Sequence, residues 1–422
     1  MAIRQNPLND LINGNSMKNI GILTYHCIPN FGAQLQALST IGYLRKHGYN
    51  PIMLHWYPKD LEEFYYKRAP REQNELQMKF AESRMPISKL CRSIEELCKE
   101  IQRLNIEAIF LGSDALFDYT PSFFRYNYSI RKLKRIPIFV TSNHRLPNPF
   151  WGSFNDILNP PIPFVGFSIS SQNMPYKNLN KEEKRELKRL LLRFKGLTVR
   201  DKWTRKLVKY TSKQDVKITP DPVFAFNQNT DYHISKEFIC NKYQLPENYI
   251  LISFLYPLLP DEFVNKVIEL VEKETGAECV SFPMPDKLRK FNTKHTIELP
   301  LNPIDWYFLI KYSRGYIGER MHPIVVALHN SIPFFCFDQY GAKVVIIPRL
   351  WSVFKPKSSK IYDILEKAGF LDNMCFYPQI NKLKPKDVVD KFLSFDKEKC
   401  SNFSNQMQNN YNIGMDTVLK LL

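Results

Sequence analysis

The sequence has no uninterrupted apolar segment that approaches the roughly 20 residues a membrane-spanning helix needs. It contains no CxxC pair, and several of its 8 cysteines lie in apolar runs such as Phe335–Phe337. That usage predicts buried free thiols in a reducing compartment rather than a disulfide framework. Residues 1–16 are polar and carry no secretory segment, so we expect a disordered extension before a native start at Met17, and a cytoplasmic protein.

Several site motifs are also missing. There is no complete GxGxxG or GxxxxGK[ST] loop, which removes the usual sequence support for nucleotide binding. There is no GxSxG, which argues against the nucleophile of an α/β-hydrolase. No HExxH occurs and the histidines are scattered along the chain, so we expect neither a metal nor a cofactor.

The composition itself is that of a globular protein. The 422 residues are 44% hydrophobic, 14% aromatic and 24% charged, enough for at least two domains with sizeable cores. Lysine and arginine outnumber the acidic residues by 59 to 42, and the net charge of +17 favours anionic partners. The basic runs at residues 131–135 and 181–195 lack aromatic interleaving on a nucleic-acid module, so we expect solvated faces or contact with an anionic membrane surface, and no nucleic acid.

Short apolar strands alternate with amphipathic helices along the chain, which predicts parallel α/β sheets. The expected strands of the first half lie at residues 20–25, 51–56, 108–111, 136–141, 164–169, 197–199 and 216–218. Those of the second half lie at 249–254, 277–282, 314–318 and 332–337, with a loop at 349–360. This order predicts two doubly wound, Rossmann-like domains facing a cleft, with ligands beyond the carboxyl ends of the strands.

The domain boundaries follow from the same pattern. We expect an N-terminal α/β domain over residues 17–222, with a charged helical insertion at about 59–104. The Asn-rich segment 223–248 is the predicted linker, and residues 249–400 form the C-terminal α/β domain. A last helix over 401–422 is predicted to pack back on the N-terminal domain.

The clearest candidate site is the segment Glu319–Pro323, where a strand ends and a helix begins. The N–H groups of the first helical turn, together with Arg320, would bind an anion. His322 would stand beside that anion and exchange a proton with it near neutral pH. The alternative is structural: Arg320 would pair with Glu319, and His322 would only cap the helix.

A second group of candidates lies in the first half of the chain. Arg200 ends a strand and would face Arg320 across the cleft, unless it forms a salt bridge with Asp201 or another acid. Two guanidinium groups on one small ligand predict a compact polyanion. Other candidates, which end or follow strands and would lie on the acceptor side of the cleft, are Asn30, Gly32, Gln34, Ser113 and Asp114.

Five blocks, in chain order, resemble motifs of the polysaccharide pyruvyl transferase family over residues 18–345. They are Gly21–His26 with Asn30–Ala37, Gly112–Asp114, Val199–Asp201, Asp221–Pro222 and Arg320–His322. Two positions depart from the family pattern. Ala115–Phe117 stand where Gln-Val-Trp is common, which bears on the acceptor, and Pro323 stands where glycine is common, which suits a helix start.

The resemblance implies a fold like that of the GT-B glycosyltransferases and a transferase that moves a pyruvyl group from phosphoenolpyruvate to sugar hydroxyls as a ketal. It implies that Arg200, Arg320, His322 and the backbone of Met321 bind the donor, with His322 and Arg320 catalytic. We expect a role in bacterial capsular or exopolysaccharide biosynthesis, a lipid-linked glycan acceptor, and peripheral contact with the inner face of the membrane. The alternatives are a glycosyltransferase that uses a nucleotide sugar and a non-catalytic, glycan-binding member.

Overall fold

A computed structural model describes residues 17–129, 134–255, 259–338, 342–347, 351–355 and 359–422. The predicted extension at residues 1–16 and most of the basic run at 131–135 lie outside these ranges. The described chain forms two six-stranded sheets, each with all its strands parallel. Among the described residues, no helix has the length and apolar character that crossing a bilayer requires.

The first sheet has the strand order β2-β1-β3-β6-β7-β8. Its strands are short and apolar because helices cover both faces, and every residue of β3 and β6 is buried. The strands are β1 (Asn19–Leu23), β2 (Asn50–Met53), β3 (Ala108–Leu111), β6 (Phe164–Ile169), β7 (Gly196–Val199) and β8 (Lys217–Ile218). The helices of this half are α1 (Phe31–Lys46), α2 (Lys59–Tyr66), α3 (Arg71–Arg84), α4 (Ile94–Arg103), α5 (Lys181–Leu191) and α6 (Lys202–Ser212).

The second sheet has the order β11-β10-β9-β12-β13-β16. Its strands are β9 (Tyr249–Ser253), β10 (Glu278–Ser281), β11 (His295–Thr296), β12 (Gly315–Glu319), β13 (Phe334–Asp338) and β16 (Met374–Phe376). The helices of this half are α9 (Asp261–Thr275), α10 (Pro303–Tyr312), α11 (Met321–His329), α12 (Lys360–Ala368) and α13 (Pro385–Leu393). Residues 219–248, between the two sheets, include the short helices α7 (Phe226–Asn229) and α8 (Lys236–Tyr243).

Two antiparallel hairpins correct the sequence predictions. The strand expected at 136–141 is instead β5 (Lys134–Pro137), which pairs with β4 (Tyr126–Ser129) outside the main sheet. Ile138 and Phe139 follow it as exposed residues, so this apolar run is not core. The loop expected at 349–360 contains β15 (Trp351–Lys355), paired with β14 (Ala342–Ile347). The prediction gave too much weight to the flanking lysines and prolines and too little to the Trp, Val and Phe between them.

The two halves share a core. Phe31 at the start of α1 lies with its ring centroid 5.2 Å from that of Trp306 in α10. The last helix, α14 (Lys397–Leu419), returns to the first sheet, where Gly414 packs closely on Phe167 of β6. Buried apolar residues therefore run without a break from the first sheet to the inner face of the second.

Candidate functional site

A cleft of about 370 Å³ opens between the two halves. In each sheet the strand order reverses beside the first strand, between β1 and β3 and between β9 and β12. Ligands of doubly wound sheets bind at this reversal, beyond the carboxyl ends of the strands. Asn30 and Gly32 follow β1, Asp114 follows β3, and Arg320 with His322 follows β12, and all five line the cleft. The folding pattern of each half thus brings these loops to one place.

Gly32 and His322 make the closest approach across the cleft. A Cβ atom built on Gly32 would lie 1.9 Å from Cγ of His322, so only glycine leaves room for the imidazole. Asn30 caps α1 by accepting a hydrogen bond from the N–H of Ala33, which places Gly32 in the first helical turn. The first half of the chain therefore fixes the position of a ring that belongs to the second half.

His322 is connected to Arg200 through one carboxylate. Nε2 of His322 lies 4.0 Å from Oδ2 of Asp221, and Nη1 of Arg200 donates to the same oxygen. The side chain of Arg200 is only 3% exposed, and its Nη2 lies 3.5 Å from Oδ1 of Asp114. Burial alone would raise the pKa of Asp114, but the charges of Arg200 and His322 hold that pKa below its usual range.

This arrangement changes what Arg200 can do. Its two Nη groups face Asp114, Asp221 and the Ser113 hydroxyl, and Nε is buried with no partner. The carboxylates of Asp114 and Asp221 therefore balance the charge of Arg200. The salt-bridge alternative named Asp201 or another acid, and the partners are other acids. Asp201 instead caps α6 by accepting from the N–H of Thr204.

Burial favours the neutral form of the His322 imidazole in the free protein. Burial lowers the pKa of His322 below its ordinary value, against the opposing effect of Asp114 and Asp221. Nε2 is buried and has no hydrogen-bond partner. An anion bound beside the ring would favour its protonated form, so His322 can take up a proton when such a ligand arrives.

Arg320 lies on the other side of the cleft mouth. Its Nη2 donates to Oδ2 of Asp286 at 2.6 Å, a partner that the sequence did not suggest. Glu319 accepts from the backbone N–H of Leu255. Arg320 precedes α11 with a φ of 79°, and no side chain caps the first turn of that helix. The N–H groups of Met321 and His322 therefore stand at an uncapped helix start beside a guanidinium group, which is an arrangement that attracts anions.

Three of the eight non-glycine residues with positive φ in the described part of the chain line the cleft. Asp114, Gln172 and Arg320 have φ angles of 91°, 49° and 79°, and all three line it. Such conformations cost energy for residues other than glycine and cluster at binding and catalytic sites.

Like Arg200, which lines a second cavity, two other predicted candidates do not line the cleft. The amide of Gln34 donates to the backbone carbonyl of Gln77 in α3, and the side chain is fully buried. The hydroxyl of Ser113 donates to the carbonyl of Ser168 at 3.0 Å. Both side chains hold neighbouring segments in place. Asn30, Gly32 and Asp114 of the same predicted group do line the cleft.

Sequence reasoning missed Lys360 and Asp286, which also line the cleft. Neither belongs to a recognisable motif, and Lys360 fell in the segment predicted to be a loop. The one available signal was Ser359, whose hydroxyl accepts from the N–H groups of Ile361 and Tyr362 and so begins a helix at Lys360.

A second cavity of about 360 Å³ lies behind the cleft, between the loop at Asp221, α12 and α14. Arg200 and Asp221 line this cavity, and Met321 and Lys360 line both spaces. These shared residues form the wall between the two.

One cluster of the described residues could hold a metal ion. His26, Cys27 and His55 follow β1 and β2, and each offers a ligand atom within 4.8 Å of the others. The prediction treated the histidines as scattered, because proximity across two strands is not visible in sequence spacing. All three residues are buried, and His26 and Cys27 belong to the loop that leads to Asn30.

The family follows from a comparison of the sequence with known families. The model of the family described as "Polysaccharide pyruvyl transferase" matches residues 30–339. The chain belongs to the polysaccharide pyruvyl transferase family. The match includes the cleft-lining motif residues Asn30, Gly32, Asp114, Arg320 and His322, and it confirms the family resemblance. Among curated proteins, none matches the chain in sequence.

Solved structures resemble this family member in fold. The UDP-GlcNAc 2-epimerase from Methanocaldococcus jannaschii is 8% identical, with a TM-score of 0.51 over 93% of this chain and 100% of that one. The glycosyltransferase SnogD from Streptomyces nogalater is 9% identical, with a TM-score of 0.43 over 96% and 99% of the two chains. At such low identity the epimerase likeness shows the fold alone. Together with the two parallel sheets, it confirms the predicted GT-B-like arrangement of doubly wound domains.

Proposed function

We propose that this pyruvyl transferase moves the pyruvyl group of phosphoenolpyruvate to two hydroxyls of a sugar, forming a ketal. The observation that carries the proposal is the position of His322, whose ring lies against Gly32 in the cleft, 4.0 Å from the Asp221 carboxylate that also binds Arg200. The donor is small and carries a carboxylate and a phosphate. Arg320 and the uncapped N–H groups of Met321 and His322 offer donors suited to such a ligand.

The proposed reaction begins with a proton. Protonated His322 gives its proton to the methylene carbon of the donor, which leaves the adjacent carbon electron-poor. A sugar hydroxyl adds to that carbon and loses its proton. The bond between this carbon and the phosphate oxygen then breaks, phosphate departs with the electron pair, and a second hydroxyl closes the ketal ring. The proton of the first hydroxyl returns to His322, and the proton of the second leaves with the phosphate. Fixed positive groups around the phosphate stabilise the negative charge that it gains.

Within this scheme the two arginines have different tasks. Arg320 lies at the cleft surface, with about a third of its side chain exposed, and binds the donor directly. Arg200 is paired with Asp114 and Asp221, so it acts mainly by holding Asp221 beside His322. The predicted direct contact of Arg200 with the donor is not part of this proposal, because Arg200 lines the second cavity and not the cleft.

For the acceptor, we propose a lipid-linked oligosaccharide of a bacterial surface or capsular polysaccharide. The enzyme would meet it at the cytoplasmic face of the inner membrane. The net charge of +17 supports this, because a basic surface is attracted to anionic lipid within a Debye length.

The test is phosphate release from phosphoenolpyruvate in the presence of candidate acceptor glycans. Arg320→Ala removes the guanidinium group and is expected to lower kcat/KM by roughly 100-fold or more, since it removes charged hydrogen bonds to the donor. Arg205→Ala is the matched control, because Arg205 forms an exposed ion pair with Asp215 and neither residue lines the cleft. Full activity of Arg320→Ala would contradict the assignment. Binding of a nucleotide sugar with none of phosphoenolpyruvate would point to a glycosyltransferase instead.

A further inference from the structure

Lys360 occupies a position that the proposed chemistry has not yet used. It is the first residue of α12, and its side chain lines both the cleft and the second cavity. Met321, which is the first residue of α11 and the neighbour of His322, also lines both spaces. Lys360 therefore belongs to the wall between the two spaces, and it lies close enough to Arg200 for the two positive charges to repel each other.

The charge of Lys360 is not balanced by an ion pair. The neighbouring lysines have partners: Nζ of Lys202 lies 2.6 Å from Oε2 of Glu366, and Nζ of Lys367 lies 2.7 Å from Oδ2 of Asp363. Among the described residues, no carboxylate lies within ion-pair distance of the ammonium of Lys360. Arg200 differs as well, because it faces two carboxylates. Lys360 is thus the inner cation of the cleft that has charge to offer to a ligand.

The surroundings of Lys360 make an anionic ligand favourable. Burial lowers its pKa, and so does the charge of Arg200, while Asp114, Asp201 and Asp118 act in the opposite sense. Burying an ammonium group without a partner is costly, and a bound anion removes that cost. A compact ammonium suits a phosphate as a point charge, whereas a planar carboxylate is better matched by the fork of a guanidinium such as Arg320.

We propose that Lys360 forms the phosphate subsite of the donor site, holding the phosphoryl group of the donor and the phosphate ion after it has left. The inference rests on the proposed function for the identity of the donor. It orients the ligand, with the phosphate toward Lys360 and the second cavity and the carboxylate toward Arg320 and α11. The positive charge of Lys360 also stabilises the departing phosphate at the wall of the second cavity.

The experiment compares Lys360→Met with Lys202→Met, a neighbouring lysine that already has its own carboxylate partner. Binding of phosphoenolpyruvate, inorganic phosphate and pyruvate to the full chain is measured by calorimetry. We expect Lys360→Met to weaken binding of both phosphate-containing ligands by roughly 10- to 100-fold, the effect of one charged hydrogen bond. Binding of pyruvate should change less than about twofold, and Lys202→Met should behave like the wild type.

The possible results distinguish a failure of the proposed phosphate subsite from a failure of the proposed function. If Lys360→Met binds phosphoenolpyruvate as tightly as the wild type does, the subsite is wrong and the function stands. If the wild type binds inorganic phosphate through Lys360 but not phosphoenolpyruvate, the function is wrong and the subsite stands. Should Lys360→Met fail to fold by circular dichroism, Lys360→Gln and Lys360→Arg replace it. In that case the arginine variant should keep phosphate binding and the glutamine variant should lose it, and equal binding by both would overturn the proposal.

Discussion

Gly32 and His322 come from different halves of the chain, yet the site depends on their contact. The imidazole lies where the side chain of any other residue at position 32 would begin. Gly32 lies in the first turn of α1, where helix propensity favours alanine, so the presence of glycine there is explained by the ring and not by the helix.

We predict that Gly32→Ala leaves the protein folded but disables it. The new methyl group would lie 1.9 Å from Cγ of His322, so the ring must move by more than 1 Å. A displacement of that size at a reacting group lowers kcat/KM by roughly 100-fold. Steady-state kinetics measure the loss, and thermal unfolding reports whether the fold survives.

A double-mutant cycle supplies the control for this prediction. In a His322→Asn background the ring is already gone, so Gly32→Ala should add much less to the loss than it does alone. Equal effects in both backgrounds would mean that Gly32 acts through something other than His322.

The positions of the charged side chains could be predicted only in part. Arg200, Asp114 and Arg320 were expected at strand ends, because parallel strands deliver their carboxyl ends to one edge. Their pairing could not be predicted, because Asp114, Arg200 and Asp221 come together from three loops and a sequence does not show which acid reaches which base. For the same reason the clustering of His26, Cys27 and His55 was missed.

The side chain of Gln73 in α3 connects the two halves. The amide of Gln73 donates to the carbonyl of Leu301 at 2.9 Å, and the N–H of Leu301 donates back to the same amide at 2.7 Å. Gln73 is fully buried. The helical insertion at residues 59–104, predicted from its charge and its lack of glycine, therefore binds the backbone just before α10.

We predict that Gln73→Ala lowers the free energy of unfolding by about 2 kcal/mol or more, because it leaves the N–H and the carbonyl of Leu301 buried without partners. Urea unfolding followed by circular dichroism measures the change. Glu75→Ala on the same helix is the matched control, since Glu75 forms only an exposed pair with Arg71, and it should stay within about 0.5 kcal/mol of the wild type. A smaller effect for Gln73→Ala than for the control would contradict the prediction.

The helices and strands that sequence patterns predicted well are those buried on both sides. β3, β6 and β13 are continuous apolar runs, and such runs have few alternatives in an α/β protein. The hairpin β14–β15 was not predicted, because it pairs with itself and has no place in either parallel sheet. These three strands could be predicted because they are buried on both faces; strand propensity alone was not sufficient.

The helix α14 follows the C-terminal half in the chain and packs on the first sheet, so it joins the two halves of the molecule. Tyr43 of α1 donates its hydroxyl hydrogen to Asp416, and Gly414 lies directly against Thr219 and Phe167. The far end of the chain thus completes the core of the half that is made first.

We predict that Gly414→Val destabilises the protein as a unit. A Cβ atom at position 414 would lie 2.9 Å from Cγ2 of Thr219 and 3.0 Å from Cε2 of Phe167, so the helix must move away from the sheet. Overpacking of this kind costs about 1–3 kcal/mol. Calorimetry should show a lower Tm for Gly414→Val, whereas Ile413→Val, at the exposed neighbouring position, should leave Tm unchanged. An unaltered Tm for Gly414→Val would mean that α14 is not tightly packed.

The order in which the chain is synthesised gives the packing of α14 a kinetic consequence. During translation, β1 to β8 leave the ribosome long before residues 397–419 do. Until then the surface of β6 that α14 covers stays open to water and to other nascent chains. The N-terminal half therefore has to wait, incomplete, while the entire C-terminal half is made, and that interval is when a chaperone would have most to protect.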